Sequence, residues 1–71
     1  MVSKLRALVS AVELGSLKAA AETLGCTQSA VSHSIASLET ELGFRLLRRD
    51  RSGVKLTDEG ERLLPYARGL L

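Results

Sequence analysis

The sequence predicts a small, mainly α-helical domain with four helices and one β-hairpin, and three observations support this fold class. First, the chain has 71 residues, which allows one domain at most. Second, apolar residues make up 45% of the chain but aromatic residues only 3%, so the core must consist of Leu, Val, Ile and Ala. That composition suits packed helices better than a β-sandwich. Third, apolar side chains recur at helical spacing in four segments.

The first two predicted helices occupy the N-terminal third of the chain. Ser3 is expected to cap the first helix and Gly15 to end it. Ser16 can cap a second, short helix that runs through Leu24. The alanines of this helix allow another helix to approach closely, and Gly25 follows where a left-handed residue would close it. The apolar positions of the first helix are Leu5, Leu8, Val9 and Val12.

The third predicted helix runs from its cap at Thr27 to Leu42, and Gly43 ends it. One narrow apolar stripe should dock this helix on the domain. The opposite side carries small, neutral, polar side chains, and no carboxylate occurs before Glu39. The stripe consists of Val31, Ile35, Leu38 and Leu42. The polar side consists of Ser29, His33, Ala36, Ser37 and Thr40, with Gln28 and Ser32 on one flank.

A β-hairpin and a fourth helix complete the prediction. Two short strand-like runs, at residues 46–48 and 54–56, are separated by a polar connection with Gly53 near its end, as in a hairpin. Thr57 can cap a last helix. Two acids follow in its first turn, where the helix dipole favours negative charge.

Basic charge is concentrated in the hairpin. The chain has a net charge of +2, but residues 45–55 carry five basic side chains and one acid, so this segment is +4 and the remainder is −2. Such a concentration is typical of a surface that binds a polyanion, although on charge alone a solvated arginine-rich loop explains it equally well. The basic residues are Arg45, Arg48, Arg49, Arg51 and Lys55, and the acid is Asp50.

A helix, a glycine-containing turn and a second helix form a helix-turn-helix, whose second helix enters the major groove of DNA. A face that enters the groove must be slim, lack carboxylates and offer donors and acceptors to base edges. The polar side of the third helix meets these needs. The alternative is an exposed, weakly polar face without a partner, but such faces usually carry Glu, Lys and Arg, which form helices better than Ser or Thr.

Individual roles follow from this interpretation. Gln28 can pair bidentately with adenine, and Ser29 and Ser32 can reach bases or phosphates. The basic hairpin then forms a wing beside the third helix. Its tip could rest along the DNA backbone or place Arg51 in the minor groove.

Five stretches together resemble the N-terminal DNA-binding domain of LysR-type transcriptional regulators, and their spacings match without gaps. They are residues 15–24 (GSLKAAAETL), 27–35 (TQSAVSHSI), 38–43 (LETELG), 46–49 (LLRR) and 56–60 (LTDEG). The resemblance implies a winged helix-turn-helix in residues 1–57, with a three-helix core and a two-stranded wing. The helix-turn-helix would lie at about 16–42 and the wing at about 45–57, and residues 58–71 would start a linker or dimerisation helix.

The same resemblance implies a bacterial regulator that binds double-stranded DNA as a homodimer, on a short interrupted inverted repeat. In that family the stretch matched by Thr27 to His33 supplies groove contacts, and the arginine matched by Arg49 lies near the backbone. His33 stands where the family often has Arg, and Ser29 where it often has Pro. The predicted DNA-binding residues are Thr27, Gln28, Ser29, Ser32, His33, Arg48, Arg49 and Arg51.

The last helix carries an apolar arc broader than docking on so small a domain requires, which predicts a partner helix. Gly60, Pro65 and Gly69 are poor helix formers, and sequence rules alone would end the helix near Leu64. The resemblance instead implies that the helix continues and pairs with its twin in a second chain. The predicted dimerisation residues are Leu63, Tyr66, Ala67 and Leu70, and Leu64 and Leu71 widen the arc.

The sequence gives less direct evidence on a cofactor, a membrane partner and the cellular location. The family's C-terminal domain, which binds a small co-inducer, is missing, so we expect a fragment or excised domain without a cofactor of its own. Charged residues interrupt the early apolar positions, and the uncharged run at 24–38 is too short and polar for a membrane span. We therefore expect a cytoplasmic, nucleoid-associated protein without a membrane partner.

Two other functional classes fit the sequence less well. A winged-helix module for protein–protein contact would favour an apolar or aromatic exposed face on the third helix. An enzyme would need a catalytic set, and one His, one Cys and no converging acid pair do not provide one. Cys26 is expected to be a small buried side chain in the turn, and together with His33 it offers too few ligands for a zinc site.

Overall fold

The computed structural model describes the backbone of residues 2–51 and 53–70 and the side chains of residues 3–51 and 53–69. Helix α1 is central, because it packs against α2, α3, α4 and strand β2. The two strands form an antiparallel hairpin. In chain order the elements are α1 (Val2–Leu14), α2 (Leu17–Leu24), α3 (Gln28–Leu42), β1 (Leu47–Asp50), β2 (Gly53–Leu56) and α4 (Asp58–Leu70).

The core is aliphatic, as the composition predicts. Three alanines, Ala11 of α1, Ala20 of α2 and Ala67 of α4, are fully buried. The leucines and valine that fill the centre each stabilise the fold by about 1.5–3 kcal/mol through removal from water. The most enclosed large side chains, each less than 2% exposed, are Leu8, Val31, Leu38 and Leu46.

Local capping determines where α2 and α3 begin and end. Ser16 and Thr27 have extended backbone, and each side-chain oxygen accepts the backbone N–H three residues later at 3.1 Å. Gly25 and Gly43 close the two helices with φ of 71° and 83°, in the left-handed region that favours glycine. These four predictions are confirmed. The prediction that Ser3 caps α1 is wrong, because α1 begins at Val2.

The strands are longer than the sequence predicts. They pair Leu47 with Leu56 and Asp50 with Gly53, which leaves a two-residue connection, of which Ser52 lies outside the described residues. Two-residue connections are the commonest in hairpins. Gly53 has φ of 119°, and a Cβ there would lie 2.9 Å from the carbonyl oxygen of Gly15. Both conformation and space therefore require glycine at this position.

Thr57 ties the start of α4 to the segment before β1. Its N–H donates to the carbonyl oxygen of Leu46 at 2.9 Å, and its hydroxyl donates to the carbonyl oxygen of Arg45 at 2.6 Å. The same hydroxyl oxygen accepts the N–H of Gly60 at 3.0 Å, so Thr57 also caps α4 as predicted. A Cβ on Gly60 would collide with the Leu46 carbonyl oxygen. Gly60 is thus required for close packing.

Helix α4 continues through Pro65 to Leu70, as the family resemblance implies. Ala67, beyond the proline, is fully buried, and Leu63 and Leu64, which precede it, pack partly buried against the core. This packing offsets the cost of an interior proline, about 3 kcal/mol. The prediction that Ala67 contacts a second chain is wrong, because its side chain lies in the core of its own domain.

A surface ion pair joins α1 to α3. The ammonium group of Lys4 donates to the carboxylate of Glu41, and this hydrogen bond lowers the pKa of Glu41 below its ordinary value. A folded-state pKa that lies below the unfolded value contributes stability above the unfolded pKa and loses it as pH falls through the folded pKa. The pair is partly exposed, so salt screens it.

Gly60→Ala is expected to lower the free energy of unfolding by about 1–3 kcal/mol, because the new methyl group overlaps backbone that cannot move aside. Helix propensity alone predicts the opposite sign, since alanine favours a helix over glycine by about 1 kcal/mol. Urea denaturation followed by circular dichroism measures the difference. The matched control is Gly69→Ala, where an added Cβ meets nothing within 4 Å. Equal effects at both positions would contradict the packing argument.

Candidate nucleic-acid interface

The turn between α2 and α3 stands at the surface. Every residue from 22 to 30 is exposed, and the chain reverses at left-handed Gly25. The N–H of Cys26 donates to the carbonyl oxygen of Ala21 at 3.0 Å, which closes the turn. The Cys26 side chain is exposed, so the prediction of a buried cysteine is wrong. Cys26 lines a surface groove beside α1 instead of lying in the core.

The first turn of α3 presents polar groups to solvent. Thr27, Gln28 and Ser29 are all exposed. The oxygen of Thr27 accepts the N–H of Ala30, and its hydroxyl hydrogen can still be donated outward. The first N–H groups of a helix lack partners within the helix, and the dipole makes this end attract anions. The end of α3 is therefore suited to phosphate as well as to base edges.

The exposed side of α3 is free of unpaired acids. His33 and Ala36 are exposed, and Ser32 and Ser37 are half-buried. The two carboxylates of the helix both have partners within the domain: Glu39 accepts backbone N–H groups, and Glu41 pairs with Lys4. No carboxylate of α3 is thus left to repel a polyanion that approaches the exposed side.

Glu39 anchors the hairpin to α3. Its Oε2 accepts the N–H of Leu46 at 2.6 Å and the N–H of Leu47 at 3.2 Å. The Nε of Arg45 lies 3.5 Å from the same oxygen. The carboxylate is only 14% exposed, and its charge strengthens both hydrogen bonds. The sequence pattern did not reveal this role, because the partners are backbone groups seven and eight residues away.

The hairpin has two faces, and they separate its arginines. Leu47 and Arg49 alternate onto one face with their partners Leu56 and Val54. On this face an Nη2 hydrogen of Arg49 is donated to the Oγ of Ser32 on α3, with a nitrogen–oxygen distance of 2.7 Å. Arg49 and the polar side of α3 are therefore brought together, as the sequence interpretation requires.

Arg48 lies on the other face, where its cross-strand partner is Lys55. It also lines a groove with Asp58 and Glu59 from the start of α4. Its side chain thus lies near acids of its own domain. Arg51 lies in the turn at the tip of the hairpin and is exposed. The eight predicted residues therefore do not form one surface, because Arg48 stands apart from the others.

Lys18 belongs to the same region and was not predicted. It is exposed in the first turn of α2 and lines a cleft with Gln28, Arg49 and Gly53. A basic residue in the first turn of a helix is unfavourable for the helix dipole. This unfavourable charge is the feature of the sequence that indicates Lys18 as a functional residue. A polyanion bound at the cleft would compensate it.

Within residues 2–51 and 53–70, no group of three or more His, Cys, Asp or Glu side chains could hold a metal ion. In the same part of the chain, no helix combines the length and apolarity that crossing a membrane requires.

Residues 2–61 match the family model described as bacterial regulatory helix-turn-helix protein, lysR family. The chain belongs to this family. Among the relatives of the chain, the probable HTH-type transcriptional regulator LrrA of Synechococcus elongatus is 47% identical over 70 residues, which are 99% of this chain and 24% of the relative. The regulator HdfR of Yersinia enterocolitica is 56% identical over 52 residues, 73% of this chain and 18% of the relative. The chain therefore spans a quarter or less of these relatives.

Solved structures of the LysR family share the fold. The BenM DNA-binding domain, solved in complex with catB site 1 DNA, is 40% identical with a TM-score of 0.93, and the match covers 99% of this chain and 79% of that chain. The CbnR DNA-binding domain, solved in complex with DNA, is 31% identical with a TM-score of 0.93, covering 99% and 80%. The winged helix-turn-helix predicted from the sequence is confirmed.

Glu39→Ala is expected to lower the free energy of unfolding by about 1–3 kcal/mol, because two N–H groups at the start of β1 lose a charged acceptor. Amide hydrogen exchange at Leu46 and Leu47 should accelerate, while exchange in α1 should change only as far as global stability does. NMR-detected exchange and urea denaturation give the two quantities. The control Glu22→Ala removes an exposed carboxylate of α2 and should stay within about 0.5 kcal/mol of the parent. Unchanged exchange at Leu46 would contradict the anchoring role.

Proposed function

We propose that this chain is the DNA-binding domain of a bacterial transcription regulator and that it binds DNA sequence-specifically through α3 in the major groove. One observation carries the proposal. An exposed, uncharged polar helix face lies directly beside a basic hairpin, and the Arg49–Ser32 hydrogen bond links the two. Family membership and the DNA complexes of the BenM and CbnR domains support the same conclusion.

The exposed residues of α3 differ in the contacts they suit. Gln28, Ser29 and His33 offer donors and acceptors at the helix end that enters the groove, and we assign them to base edges. Thr27 and the adjoining N–H groups suit a phosphate. Lys18 flanks the same end of α3 across a cleft and suits a second phosphate.

The hairpin residues are assigned by position. Arg49 faces α3 and is assigned to the DNA backbone, whereas Arg51 at the tip is assigned to the backbone or the minor groove. Arg48 remains a proposed contact, but the acids that share its groove make it a weaker one than Arg49.

A protein–protein module is the competing function, and the surface of α3 argues against it. Such a module favours an apolar or aromatic exposed face at the centre of the contact. The large exposed apolar side chains within the described part of the chain are Leu14, Leu24, Phe44 and Tyr66, and none belongs to α3. We further propose that the chain is not an enzyme, since its relatives are named as transcriptional regulators.

The regulator as a whole is proposed on family grounds. We infer that it works in the bacterial cytoplasm in association with the nucleoid, and that its domain binds without a cofactor of its own. A response to a small co-inducer, which the family resemblance implies, is assigned to a part of the regulator outside this chain.

We infer that α4 mediates a homodimer that binds an interrupted inverted repeat. Tyr66 is 74% exposed on α4, and Leu63 is half-buried beside it. An aromatic side chain this exposed suits a helix partner, since Tyr is favoured at interfaces. Ala67 is excluded by its burial, and the side chain of Leu70, also predicted at this contact, lies outside the described residues.

Gln28→Ala and Arg49→Ala should weaken DNA binding in different ways. A preferred site is first selected from a random DNA pool, and affinities are then measured on its single-base variants at several salt concentrations. Gln28→Ala should cost about 1–3 kcal/mol on the best site and flatten the preference at one base position. Arg49→Ala should weaken all sites by a similar factor and make the slope of log K against log salt shallower by about one.

Two outcomes of this experiment would contradict the proposal. A salt slope near zero for the parent domain would remove the polyanion argument. If Gln28→Ala lowers every affinity equally while Arg49→Ala reorders the sites, α3 does not read base edges as assigned.

Tyr66→Ala should weaken dimerisation about tenfold while the fold is retained, because the side chain makes few contacts within its own domain. Sedimentation equilibrium over a concentration series measures association, and a duplex with two half-sites measures its effect on DNA binding. Glu61→Ala changes an exposed residue on a different face of α4 and serves as the control. A parent domain that binds the two-half-site duplex as independent monomers would contradict the dimer.

A further inference from the structure

Arg49 and Ser32 come from different elements and lie 17 residues apart in the sequence, yet their side chains share a 2.7 Å hydrogen bond. Arg49 is exposed on β1, whereas Ser32 is half-buried on α3. Ser32 lies in the wall of the cleft between α3 and the hairpin, together with Leu17, Ile35 and Leu47. The serine is therefore set back from the surface on which Gln28 and Ser29 are exposed.

The hydrogen bond leaves most of the arginine available. A guanidinium group has five N–H donors in a rigid planar fork, and this contact uses one of them. An exposed arginine otherwise samples many rotamers, and ordering it on binding costs affinity. A hydroxyl that selects one rotamer beforehand reduces that cost. The bond also orients the remaining donors of Arg49 relative to α3.

We propose that Ser32 is a positioning residue that acts through Arg49. Its hydroxyl holds the guanidinium group beside α3 in an orientation ready for a DNA phosphate, and Ser32 makes no DNA contact of its own. The inference rests on the proposed DNA-binding function and deepens it. It replaces the expectation that Ser32 reaches a base or a phosphate directly.

A double-mutant cycle tests the inference on the selected site and on its single-base variants. Arg49→Ala is expected to weaken binding about tenfold. Ser32→Ala should weaken it about three- to tenfold, equally on all variants. Since Ser32 acts only through Arg49, the double variant should bind no more weakly than Arg49→Ala alone. Ser32→Thr keeps the hydroxyl and should recover most of the lost affinity.

Controls separate positioning from folding. Ser34→Ala removes another half-buried hydroxyl of α3, in the groove that α3 shares with Arg6 of α1, and should leave DNA binding unchanged. Ser32→Ala should keep its melting temperature within about 4 °C of the parent, because the lost bond is exposed. In the DNA-free protein, NMR relaxation should show the Arg49 side chain becoming more mobile in Ser32→Ala.

The outcomes distinguish the inference from the function on which it rests. Losses that multiply in the double variant, or a changed base preference in Ser32→Ala, would overturn positioning while leaving DNA binding intact. Unchanged Arg49 mobility in Ser32→Ala would overturn it as well. A parent domain that selects no sequence from the random pool would overturn both the inference and the proposed function.

Discussion

The place of the hairpin depends on one half-buried carboxylate, that of Glu39. An isolated two-stranded hairpin is at best marginally stable in water, so β1 and β2 need support from the helices. Glu39 provides it at the entrance to β1 by accepting two consecutive backbone N–H groups. α3 is itself packed on the core through Val31, Ile35 and Leu38. Glu39 therefore fixes the position of the hairpin, which has almost no core of its own, relative to a well-packed helix.

Internal pairing of the acids shapes the electrostatics of the surface. α3 contains two carboxylates, and both lie where they stabilise the fold, one under the hairpin and one against α1. What remains on the exposed side is neutral and small, with basic side chains from α2 and the hairpin at its margins. Favourable folding contacts and a surface suited to DNA thus come from the same placement of charge.

Much of the fold could be predicted because its determinants are local. The caps at Ser16 and Thr27 and the closure at Gly43 depend on residues within one helical turn, and an apolar period identifies each docked face. Which of Arg48 and Arg49 faces α3 could not be predicted, because it depends on strand register, and a shift of one residue would exchange their faces. The burial of Ala67 likewise depends on how α4 packs, and nothing in its own helix indicates it.

The glycine at the start of α4 has a mechanical consequence. Because Gly60 packs closely against the Leu46 backbone and Ala67 is buried further along, α4 is held on the body of the domain at two points about 10 Å apart. In the proposed dimer, a change in the angle between the two α4 helices would therefore also move the DNA-facing end of α3 in each chain. Across a domain 25 Å wide, a tilt of about 8° displaces the far edge by about 3.4 Å, the rise of one base pair. In such a dimer, a small change in the angle between the two α4 helices would therefore move the DNA-facing surface by about one base pair.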